Sequence, residues 1–61
     1  MFDIGDRVFN STSGHRGQVI GYGHQMLAHC YMPTLKVLLS EGSVEEDLYT
    51  VWTLDGSAIK S

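Results

Sequence analysis

Three histidines, one cysteine and a run of acids are the side chains in this sequence that could do chemistry. His24, His29 and Cys30 lie close together, and imidazole with thiolate suits a zinc ion. Their spacing has neither CxxC nor HxxxH, and His15 sits in a different loop, so solvent-exposed histidines are the expected reading and no metal is assigned. Cys30 as a nucleophile needs a base beside it. His29 is adjacent in sequence, and neighbours on a strand point to opposite faces, so an inert thiol is expected. Glu41, Glu45, Glu46 and Asp47 are acids without the ligand spacing of a calcium loop, which leaves a solvated acidic surface. Gly14, Gly17, Gly21 and Gly23 have no Gly-Lys-Ser/Thr and no following helix, so they form no phosphate loop. No acid–base pair or nucleophile–base pair emerges. No catalytic residue, metal or cofactor is expected.

Aromatic residues carry the binding reading. In Leu48-Tyr49-Thr50-Val51-Trp52, strand alternation puts Leu48, Thr50 and Trp52 on one face, and Tyr49 and Val51 on the other. With Val51 taken as core, Trp52 faces outward as an interface anchor; the competing reading has it plug the open end of the fold. Tyr49, Trp52, Glu45, Glu46 and Asp47 form the expected contact surface, suited to a basic protein segment or a second copy. On the third strand Leu35, Val37 and Leu39 alternate with Lys36 and Leu38. An outward Leu38 beside Met26 and Leu27 makes an apolar patch that a second copy would cover, unless residues 24–32 fold over it.

The elements that must position these residues are short strands. Sixty-one residues make one domain, and seven glycines punctuate β-like runs. Expected strands are Arg7–Phe9, Gly17–Gly23, Thr34–Leu39, a short one from Val44, and Tyr49–Trp52, with a 3₁₀ turn at Glu46–Leu48. Residues 24–32 read as a loop with the option of an extended β-arm, because Pro33 disfavours helix at Met32. The domain spans 1–54, with a short tail at 55–61 in which Ser57–Ile59 could return as a strand. The expected core is Ile4, Val8, Val19, Leu35, Val37, Leu48 and Val51.

Net charge is −3, with four Lys or Arg against seven Asp or Glu, a poor footprint for phosphate backbones. A KOW-like nucleic-acid role through Arg7, Arg16 and Lys36 is therefore only an alternative. The start Met-Phe-Asp-Ile-Gly lacks a basic leader, no apolar run approaches a membrane span, and the lone cysteine fits a reducing compartment. A cytoplasmic protein with no membrane partner is expected.

The order Ile4-Gly5-Asp6-Arg7-Val8, Gly17-Gln18-Val19-Ile20-Gly21, Leu35-Lys36-Val37 and Glu46-Asp47-Leu48 resembles the SH3-like barrels of the KOW and Tudor kind. That resemblance implies an all-β, five-stranded, partly open antiparallel barrel. Gly5–Val8 with Ser13-Gly14 and Gly17–Gly21 is also similar to the opening of the plasmid-borne type II dihydrofolate reductases, which would imply an oligomeric enzyme. Their active site uses a Val-Gln-Ile-Tyr run; here Ser40-Glu41-Gly42-Ser43-Val44 has neither Gln nor Tyr. The acidic turn also resembles that of accessory barrels in photosynthetic complexes. The reading that results is a non-catalytic interaction module binding a protein partner or itself.

Overall fold

The computed structural model describes residues 2–55. They form one all-antiparallel sheet: β1 (Arg7–Asn10), β2 (Arg16–Leu27), β3 (Cys30–Leu39), β4 (Val44–Leu48) and β5 (Trp52–Leu54), with a 3₁₀ turn at Tyr49–Val51 before β5. The spatial order is β4-β3-β2-β1-β5. The two edges, β4 and β5, are not paired to each other, so the sheet is open. Among the described residues no helix is long and apolar enough to cross a membrane.

Strong coiling of the sheet makes a core out of so few residues. Ile20 is an extra residue between Val19, which faces Val37, and Gly21, which faces Lys36. Such a bulge bends its strand and raises the local twist. At Gly17 the neighbouring strand comes so close that an added Cβ would meet the Leu38 carbonyl oxygen and lie 2.7 Å from Val37 Cγ1. Glycine is the residue that admits this approach.

The core on the concave face is Val8, Val19, Leu35, Val37, Leu39 and Trp52, with Phe2, Tyr49 and Val51 packed against it. Four of the seven expected core residues are there. Ile4 is 58% exposed, in the turn where Gly5 takes a positive φ. Leu48 and Val51 are half-buried at the sheet edge.

Residues 24–32 take the extended β-arm that the sequence left as an option beside a loop. They are not a loop. β2 and β3 continue through them in register, from Gly23 opposite Thr34 to Leu27 opposite Cys30. A two-residue turn, Ala28-His29, closes the ribbon with φ of 48° and 67°. Positive φ at both central residues is the geometry that suits hairpin twist, and it ordinarily selects Asn-Gly. The result is a projecting two-stranded arm, in a molecule measuring 41 × 23 × 20 Å. Leu38 is not covered by it and stays 40% exposed.

Left-handed backbone costs an ordinary L-residue roughly 1–2 kcal/mol. The double substitution Ala28→Asn, His29→Gly should therefore stabilise the arm by about 1 kcal/mol. Amide hydrogen exchange at Gln25 and Met32, the next bonded pair of the ladder, should slow several-fold, and unchanged exchange would argue against a strained turn.

The end of the chain also falls differently. Strand four runs on through Leu48, the 3₁₀ turn follows it, and strand five begins at Trp52. Just after β5, Asp55 donates its N–H to the Arg7 carbonyl and its carboxylate holds Arg16 at 3.2 Å. The expected strand at Ser57–Ile59 lies outside the described residues.

Candidate functional site

Register decides which of the expected contact residues share a face. Across β3 and β4, Leu35 faces Asp47 and Val37 faces Glu45, so these two carboxylates lie on the concave, core side. Lys36 faces Glu46 on the convex side. The acidic run is thus split by strand alternation and does not form one surface.

The inner pair is tied to β1. Asn10, fully buried, donates its amide to Asp47 Oδ2 at 3.0 Å and to Glu45 Oε2 at 3.3 Å. Its carbonyl oxygen accepts the backbone N–H groups of Thr12 and Ser13 at 2.8 and 2.9 Å. All the strong bonding capacity of one side chain is used. His15 Nδ1 lies 2.9 Å from the other oxygen of Glu45. Strands β1 and β4 are separated in the sheet by β2 and β3, so these bonds cross the concave face and hold it curled.

On the convex side Thr34 donates its hydroxyl to Glu46 Oε2 at 2.6 Å. A Cβ on Gly23 would meet that same carboxylate oxygen and lie 2.9 Å from the Thr34 hydroxyl. The missing side chain at Gly23 makes room for this bond.

Trp52 does not face outward. It is 2% exposed, and its indole N–H donates to the Asp47 carbonyl at 3.3 Å. The alternation that puts it opposite Val51 fails because Tyr49–Val51 is a 3₁₀ turn and not a strand. The outward reading does not hold: the ring is one of the core side chains. Tyr49 is half-buried and its ring meets Phe2 at 5.0 Å; its hydroxyl accepts the Phe2 N–H at 2.9 Å. Tyr22 donates its hydroxyl to the Phe2 carbonyl at 2.7 Å. Tyr49 and Trp52 therefore serve the interior and the end of the fold more than a free surface.

Large apolar side chains are exposed elsewhere. Met26, Leu27 and Tyr31 project on the arm, Tyr31 71% exposed, with Leu38 and Val44 side by side on the convex face. His24 packs edge-on to Tyr31 with centroids 6.3 Å apart. The sequence from Ile20 to Leu35 contains no Asp, Glu, Lys or Arg. Tyr31 is one of the aromatic residues that the sequence offers for a recognition surface, along with Tyr22, Tyr49 and Trp52. The hairpin register adds its place: opposite Met26, it lies one pair beyond the turn-closing pair.

The cations do not assemble. Arg7 and Arg16 line a groove of about 450 Å³ with Gln18 and Leu38, but Arg16 is held by Asp55 and stacks 5.0 Å over Phe9. Lys36 stands apart, opposite Glu46. His29 is at the turn and Cys30, exposed, just after it, while His15 is on the body. Among the described residues no three His, Cys, Asp or Glu gather to hold a metal ion.

No family model, curated protein or solved structure matches this chain.

Proposed function

We propose that this chain is a partly open SH3-like barrel that works as a non-catalytic interaction module, with a second copy of itself as its first partner. Three features support the barrel reading. The strand order runs β4-β3-β2-β1-β5, a 3₁₀ turn joins the two sheet edges, and the Asn10 bridge curls the concave face. The single observation that carries the interaction reading is the arm. It projects Met26, Leu27 and Tyr31 into solvent without one formally charged side chain along it. Apolar ribbon of this kind is costly to leave in water and is the type of surface that association buries.

Each apolar side chain buried there contributes on the order of 1.5–3 kcal/mol, so three or four offset a substantial association cost. Sedimentation equilibrium at micromolar concentration tests the reading. The wild-type chain should show a dimer mass, and a Met26→Lys, Leu27→Lys double variant should weaken the dimer at least about tenfold. A monomer mass for the wild-type chain overturns the proposal.

A further inference from the structure

The proposed self-association leaves open how two copies meet, and the backbone of the arm answers that. In β3, Leu39 donates its N–H toward β4, to the Ser43 carbonyl at 2.8 Å. Bonding direction alternates along a strand, so residues 37, 35, 33 and 31 point the same way, away from β2. The two-residue turn agrees with this, because such a turn closes on a hydrogen-bonded pair, here Leu27 with Cys30. Pro33 therefore sits where its missing N–H is on the outer edge of β3. The β2–β3 ladder loses nothing, and the outer edge loses a donor.

On β2 the partners of the outward-pointing β3 residues are Tyr22, His24 and Met26, opposite Leu35, Pro33 and Tyr31. Their backbone groups point away from β3. β1 pairs with β2 as far as Gln18, and Gly5 and Asp6 before it bond on to Val19; among the described residues no strand lies along β2 from Tyr22 to Met26.

Open edges are normally blunted by charge, proline or shortness. Three of the four here are. β4 carries Glu45, Glu46 and Asp47 in succession, which repel their own copies in a self-pair. β5 has three residues. The arm edge of β3 has Pro33. The arm edge of β2 has none of these devices.

We infer that the free edge of β2 from Tyr22 to Met26 pairs antiparallel with the same segment of a second copy, about a two-fold axis at His24; this rests on the self-association reading above. Tyr22 then faces Met26 of the other copy and His24 faces its own counterpart. About six backbone hydrogen bonds join the two sheets. Two Tyr–Met contacts flank the axis, and a thioether beside an aromatic ring is a favourable pair.

The test uses the full chain and two kinds of variant. In the backbone His24→Pro removes only an outward N–H, as Pro33 does on the other edge, so the hairpin ladder stays intact; the His24 ring contact with Tyr31 is lost from both His24→Pro and His24→Cys. Symmetry takes the donor from both copies. Sedimentation equilibrium should show the dimer weakened at least about tenfold, with the far-UV spectrum unchanged. In a Cys30→Ser background, His24→Cys should form a disulfide-linked dimer under mild oxidation, because paired residues there have Cα atoms about 5.5 Å apart. Gln25→Cys, offset from its own counterpart, should cross-link far less. A dimer that His24→Pro leaves intact and His24→Cys does not cross-link overturns the edge pairing while sparing self-association. A monomer at every concentration overturns both.

Discussion

Trp52→Ala should leave the chain without a cooperative unfolding transition. Removing a large buried aromatic costs roughly 3–5 kcal/mol. A domain of this length has about 3–9 kcal/mol in total on a per-residue scale. The ring is 2% exposed and shares the core with Val8, Val19, Leu35, Val37 and Leu39. It also carries the indole bond to the Asp47 carbonyl, which links the strand at one sheet edge to the strand at the other. Both links go together when the side chain is cut back. Urea titration followed by far-UV circular dichroism measures the effect, since Trp52 is the only tryptophan and its fluorescence disappears with it. A variant that unfolds cooperatively within about 1 kcal/mol of the wild type would mean that the ring is not core.

Asn10 should matter nearly as much, for a polar reason. Its side chain satisfies two backbone N–H groups and bridges Glu45 and Asp47 from full burial. Asn10→Ala strands these partners, and a buried group left unsatisfied costs about 1–3 kcal/mol. The two carboxylates are only half-buried and regain some water, so the expected net loss is roughly 2–4 kcal/mol. Asn10→Asp separates chemistry from shape. It fills the same space and keeps the acceptor for Thr12 and Ser13, yet it sets a third carboxylate against two others. It should be destabilised at least as much as the alanine variant in urea titrations at neutral pH. If Asn10→Asp unfolds like the wild type, the bridge to Glu45 and Asp47 contributes nothing.

The all-β character is legible because Leu35, Val37 and Leu39 alternate with Lys36 and Leu38, and that period survives in the structure as buried and exposed positions. Val8 and Val19 are legible as core from their place in the glycine-punctuated runs Gly5–Val8 and Gly17–Gly21. The arm is legible only as an option beside a loop. Met26, Leu27 and Ala28 favour helix in isolation, and Ala28-His29 carries none of the Asn-Gly chemistry that marks a tight hairpin turn. Only ladder pairing on both sides of that turn outweighs the local preferences. The outward reading of Trp52 fails by one step of alternation, because three residues of 3₁₀ turn interrupt the period between Leu48 and β5. The acidic run looks like one surface when counted as charge. Read at period two, Glu45 and Asp47 separate from Glu46, but nothing in the sequence names Asn10 as the donor that makes two inward carboxylates tolerable.

Strand order has a consequence for how the chain reaches this state. β2, β3 and β4 follow one another in sequence and in space, so their pairings close short loops. β1 pairs with β5 across nearly the whole chain, Asn10 opposite Trp52. Closing the longer loop costs more entropy and is rewarded only at the end. The meander should therefore nucleate, with the β1–β5 seam zipping afterwards. A mild Trp52→Phe change should then quicken unfolding and leave the folding rate almost unaltered in a chevron analysis, whereas a slowed folding limb would place the seam in the nucleus.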